Sequence, residues 1–106
     1  TTLADYEVTT ATVSLTTLAT VDATAFRSAT FEVQAFDATS GKYHKTLVSA
    51  IHNGTVADYG EYGSVAVAGI CGTFSVTKTG GSLLFQVTPA SANSTVFKVH
   101  TRLMKI

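Results

Sequence analysis

Residues 73–88 read Thr-Phe-Ser-Val-Thr-Lys-Thr-Gly-Gly-Ser-Leu-Leu-Phe-Gln-Val-Thr, and this stretch decides the fold. Gly80-Gly81 divides it into two runs of strand formers, so the chain reverses there and the runs lie side by side, antiparallel. With a two-residue loop, the numbers of facing residues sum to 161. That pairing gathers Phe74, Val76, Leu83, Phe85 and Val87 on one face, and Thr73, Ser75, Thr77, Leu84, Gln86 and Thr88 on the other. A slip of one residue would turn the aromatic face to water, so the register is strongly specified and the hairpin must cover a core.

The same alternation recurs on both sides of this hairpin. Thr95–Ile106 places Phe97, Val99 and Leu103 on one face and Lys98, His100 and Arg102 on the other. Ala29–Phe36 alternates Phe31, Val33 and Ala35 against Thr30, Glu32 and Gln34, then enters the turn-like Asp37–Gly41. Asn53-Gly54 lies between Lys42–His52 and Thr55–Tyr62 and predicts a hairpin with a two-residue type I′ loop, pairing Ile51 with Val56, Val48 with Tyr59 and Thr46 with Glu61. Both faces of that hairpin are mixed in polarity, which places it at a packing interface or a sheet edge. Thr12–Val21 alternates weakly and is a further strand, while no window supports helix beyond a short turn near Leu3–Glu7. Seven short strands at this spacing predict an all-β, antiparallel β-sandwich.

Composition agrees. The 106 residues include 19 Thr, 14 Ala and 12 Val, a bias toward residues that fit a pleated surface. Seven Lys+Arg balance seven Asp+Glu, which removes any global attraction to a phosphate backbone. With 45% hydrophobic residues the chain is not disordered, and one domain over residues 1–106 is expected. A Thr-rich segment at about 1–11 is read as an attachment arm. A start at Thr1 is what a small protein that has lost its initiator Met would show. Only Cys71 is present, so no internal disulfide forms, and the reading leans to assembly in a reducing cytosol. The longest apolar run, Val65–Cys71, is interrupted by Gly69 and far shorter than the roughly 20 residues a membrane helix needs, so no membrane partner is expected.

The chemistry-bearing residues do not converge. His44 and His52 share a strand face, but eight residues separate them by about 26 Å in a straight strand, too far for one metal or one proton relay. Cys71 has no nucleophile signature around it, and Asp58 and Glu61 point to opposite faces. No catalytic residue, metal or cofactor is therefore expected. Asn53-Gly-Thr55 and Asn93-Ser-Thr95 match the glycosylation pattern and are read as turn residues. Tyr59 and Tyr62, set among Gly60 and Gly63, are the best interface candidates. Lys98, His100, Arg102 and Lys105 form a basic stripe on the last strand, read as a subunit contact or a solvated edge; nucleic acid is not expected, because the stripe is short and lacks interleaved aromatics.

A collinear series of short segments carries a resemblance. Thr20–Gln34, Leu47–Thr55 with its Ile51-His-Asn-Gly-Thr55, Glu61-Tyr-Gly63, Gly72-Thr-Phe74, Gly80-Gly81 and Leu83–Ala90 follow in order, and together the stretch from about Thr12 to Thr101 resembles small β-domains of tailed-bacteriophage virion proteins. Val21, Phe26 and Thr30 depart from that pattern. The resemblance implies a non-enzymatic virion structural protein, assembled in the host cytoplasm and attached to the virion surface as capsid decoration or cement, or at the neck or tail. The expected partners are major capsid, neck or tail subunits and further copies of itself in a homo-oligomer, with Tyr59, Tyr62, Lys98, His100 and Arg102, read from the strand pattern, as contact residues. The alternative is a carbohydrate-binding adhesin module of a phage fibre or baseplate, using Tyr59, Tyr62 and the loops Asp37–Gly41 and Pro89–Ser94.

Overall fold

The computed structural model describes Thr2–Ile106, with side chains from Asp5 onward. These residues form eight strands and no helix: β1 (Thr2–Thr10), β2 (Thr16–Asp22), β3 (Phe26–Asp37), β4 (Lys42–His52), β5 (Ala57–Val67), β6 (Gly72–Thr79), β7 (Ser82–Pro89) and β8 (Thr95–Lys105). A five-stranded sheet in the order β1-β8-β3-β4-β5 packs against a three-stranded sheet in the order β2-β7-β6, and every neighbouring pair is antiparallel. The result is the expected all-β sandwich, 41 × 23 × 20 Å.

The decisive hairpin keeps the register read from its glycines, from Thr79 opposite Ser82 to Gly72 opposite Pro89. Phe74, Val76, Leu83, Phe85 and Val87 are all buried. They meet the inward residues of the larger sheet, chiefly Phe31, Val33, Val48, Phe97 and Val99, in one continuous core. Aromatic rings carry the contact between layers. Phe31 of β3 stacks on Phe85 of β7 with centroids 4.4 Å apart, and Phe74 of β6 stacks on Phe85 at 5.6 Å and meets Phe97 of β8 edge-on at 6.1 Å.

Three expectations need correction. The segment around Leu3–Glu7 is not a short turn: residues 2–10 form β1, hydrogen-bonded along β8, an eighth strand. Of the expected N-terminal arm, Thr1 lies outside the described residues. The strand expected from Thr12 begins only at Thr16, because residues 11–15 carry the chain from one sheet to the other. The third correction concerns the Asn53-Gly54 reversal, where four residues, Asn53–Val56, separate His52 from its partner Ala57. Only Gly54 takes a positive φ, +98°, so the loop is not type I′. The Asn53 carboxamide oxygen instead accepts hydrogen bonds from the backbone N–H of Thr55 and Val56, at 2.9 and 3.0 Å, and His52 Nδ1 accepts one from Gly54 N–H at 3.0 Å. These side chains stabilise the wider loop. The pairing moves by two residues, so Ile51 faces Asp58 and Val48 faces Glu61. A shift of two leaves each side chain on the face expected for it.

Candidate functional site

β5 is the element the fold leaves least covered. It pairs with β4 alone and ends the five-stranded sheet. Ala57 is half-buried, and the ten residues that follow are all exposed, so both faces of the strand meet solvent. Its outer backbone edge therefore presents unpaired N–H and C=O groups beside Tyr59, Tyr62, Val65 and Val67, which are 41%, 52%, 62% and 65% exposed. Tyr59 lies opposite Ala50 on the inward face, whereas Tyr62 lies opposite Leu47 on the outward face, so the two rings do not form one platform. Asp58 and Glu61 are likewise on opposite faces, and the strand carries no basic residue. Gly63 and Ser64 together oppose Thr46 in a bulge, for which Gly63 takes φ +68°.

Two buried histidines of β4 tie β5 and its flanking loops to the body. His44 Nδ1 accepts a hydrogen bond from Cys71 N–H at 3.2 Å, so the proton sits on Nε2, which donates to Ser64 Oγ at 3.2 Å. Burial holds the His44 pKa below the ordinary value, and the nearby Glu61 carboxylate opposes that shift. His52 Nε2 donates to the Phe26 carbonyl at 2.7 Å, while its Nδ1 accepts from Gly54 in the loop entering β5. Both rings thus act as structural clamps at separate places.

The basic stripe falls elsewhere than a sheet edge. β8 runs between β1 and β3, so Lys98, His100 and Arg102 project from the middle of the outer face of the larger sheet. Lys105 has the other parity and leaves the stripe. Part of the positive charge is answered locally: Lys98 Nζ lies 3.9 Å from Glu7 and, on the adjoining strands, Lys45 Nζ lies 3.2 Å from Glu32, while His100 Nδ1 contacts Asp5 Oδ1 and Arg102 has no acidic partner among the described residues. These pairs are exposed and contribute little stability each, about 0–1 kcal/mol. Sequence reasoning missed two neighbours on this face: Gln34, flanked by Lys98 and Lys45 across the strands, and Phe36, whose ring stacks on Tyr43 at 4.7 Å. The turn at Asp37–Gly41 was the available signal, since it makes 36 face 43.

The loops Asp37–Gly41 and Pro89–Ser94 are brought together, by the carboxylate of Asp37. Its Oδ1 accepts from the backbone of Thr39 and Ser40, and its Oδ2 from Ser91 Oγ and Asn93 Nδ2. Burial alone would raise the Asp37 pKa; the hydrogen bonds from Ser40, Asn93, Ser91 and Thr39 outweigh it and hold the carboxyl below its ordinary value. Asn53 and Asn93 are both engaged as turn residues through their carboxamides. Cys71 is buried, and burial, with Asp37 nearby, pushes its thiol up, so it is protonated at neutral pH. Among the described residues no three His, Cys, Asp or Glu side chains gather to hold a metal. Among the described residues no helix is long and apolar enough to cross a membrane.

Neither a protein-family model nor a curated protein matches the sequence. Among solved structures the fold is similar to part of the tailspike protein of Acinetobacter phage vB_ApiP_P1, with a TM-score of 0.54 and 12% sequence identity. That likeness takes in 99% of this chain and 22% of the tailspike chain, so the present sequence spans about a fifth of the neighbour's length, and what the two share is a fold.

Proposed function

We propose that this chain is a non-enzymatic structural module of a tailed-phage particle, attached at the particle surface, with the tail favoured over the neck and capsid. The observation that carries this reading is the fold likeness to a tailspike over nearly the whole chain, joined to a collinear sequence resemblance to virion β-domains. The attachment mechanism is strand addition along β5. A neighbouring virion subunit, or another copy of the chain, takes up the free N–H and C=O groups of residues 57–67, and pockets for Tyr59 and Tyr62 supply specificity. Repetition over many identical copies multiplies a modest contact. Assembly takes place in the host cytoplasm before the particle leaves the cell.

Mass spectrometry of purified phage particles tests the proposal. Peptides of this chain are expected in fixed proportion to a tail protein across independent preparations. Particles that lack them, from a lysate that contains them, would end it.

A further inference from the structure

The outer face of the five-stranded sheet holds a second feature, away from the β5 edge. Three shallow depressions, of about 480, 420 and 390 Å³, all include Gln34 in their lining and so run together across β8, β3 and β4. At one end the Tyr43 ring is 53% exposed yet held in place, because it stacks on the half-buried Phe36 with an interplanar angle of 27°. In the middle, the Gln34 carboxamide makes no hydrogen bond to any described residue and lies between Lys98 and Lys45 in the cross-strand register. Toward the other end follow Glu32 and His100, directly opposite each other.

This surface presents a fixed aromatic face, an unengaged amide with one acceptor and two donors, and ammonium and carboxylate groups alternating within hydrogen-bond reach of a ligand lying along it. Two ion pairs, Glu32–Lys45 and Glu7–Lys98, lie along the strip and Asp5 contacts the His100 ring, so the strip has no strong excess of either sign. A strongly ionic ligand has no excess of counter-charge to meet. We propose that this strip binds a saccharide. A pyranose ring lays its C–H face on Tyr43, where the electron-rich ring face attracts it, and neighbouring hydroxyls donate to and accept from Gln34, with Lys98 and Glu32 completing the set. Phe36 is a positioning residue that fixes the Tyr43 plane. The site is independent of β5, so it stands whether or not the chain attaches through that strand.

The full chain is applied to a printed array of bacterial-surface oligosaccharides alongside plant and animal glycans, and the strongest binder is titrated into ¹⁵N-labelled protein. Shift changes centred on residues 32–36, 43–45 and 98–100 are expected. Tyr43→Ala and Gln34→Ala should each weaken binding about ten-fold, a difference of about 1.4 kcal/mol. Tyr43→Phe should retain most of the affinity, and Thr73→Ala, on the other sheet, should leave it unchanged. Far-ultraviolet circular dichroism of each variant establishes that it is folded. Three results overturn the proposal: no glycan bound, shift changes confined to β5 or the loops, or a bound glycan indifferent to Tyr43→Ala in a folded variant.

Discussion

Gly72 and Gly60 are both strand glycines and should respond in opposite ways to the same methyl group. A Cβ on Gly72 would meet Val87 Cγ2 at 2.6 Å and the Thr88 carbonyl oxygen at 3.0 Å, inside the closed hairpin. Gly72→Ala should therefore lower stability by about 1–3 kcal/mol, read from the urea midpoint. A Cβ on Gly60 meets nothing within 4 Å, so Gly60→Ala should stay within about 0.5 kcal/mol of the parent. Thr101 offers the converse test. Its hydroxyl is fully buried and finds no partner among the described residues, next to Phe31 in the register. Thr101→Val keeps the shape and removes that group, and a gain of about 1 kcal/mol is expected from the same titration. The inward side chains themselves were legible, because alternation and a two-glycine reversal assign faces without any tertiary knowledge. What each ring touches was not: Phe31 and Phe85 lie 54 residues apart by their numbers and in different sheets, and no local pattern pairs them.

At the scale of elements, β4 and β5 show where local signals stop. Asn53-Gly54 marked the reversal, but its loop length is set by the Asn53 carboxamide and the His52 ring, and such side-chain choices are not encoded in turn composition alone. β1 was missed for a related reason: Asp5 and Glu7 suggested no buried face, and only its pairing with β8 gives the segment a structure. One of the two histidines of β4 has a measurable consequence. His44 must be neutral to accept the Cys71 N–H, and its folded pKa lies below the unfolded value of about 6.5. The unfolded chain then binds more protons as pH falls through that value, so stability present above about pH 6.5 is progressively lost below it. The urea midpoint should fall between pH 7 and pH 5, and His44→Gln should flatten the decline over that interval. Asp37 acts in a separate, more acidic window. Its folded pKa is depressed, so its contribution is complete above the unfolded value of about 3.9 and is lost only as pH drops further.

The whole molecule combines a closed core with four edge strands, β1 and β5 in the larger sheet and β2 and β6 in the smaller, and β5 is the one whose side chains are exposed along nearly its whole length. Most of the chain satisfies its hydrogen bonds within two sheets, while β5 ends the larger sheet with no Lys, Arg or Pro to discourage pairing and only the Gly63 bulge to interrupt it. The sequence carried part of this, since the mixed faces of residues 42–62 pointed to an edge or an interface. It misplaced the basic stripe, because alternation shows which face a residue takes but not whether its strand lies inside or at the end of a sheet. If β5 is where the module joins its neighbours, a charge there should separate assembly from folding. Tyr62→Lys, at an exposed outward position, should keep stability within about 0.5 kcal/mol of the parent. The most direct measurement is quantitative mass spectrometry of particles assembled with either the parent chain or the folded Tyr62→Lys variant. The account predicts the parent chain in fixed ratio to a tail protein and the variant strongly depleted. Equal incorporation of the two would contradict attachment through β5, and absence of both from particles would contradict the virion reading itself.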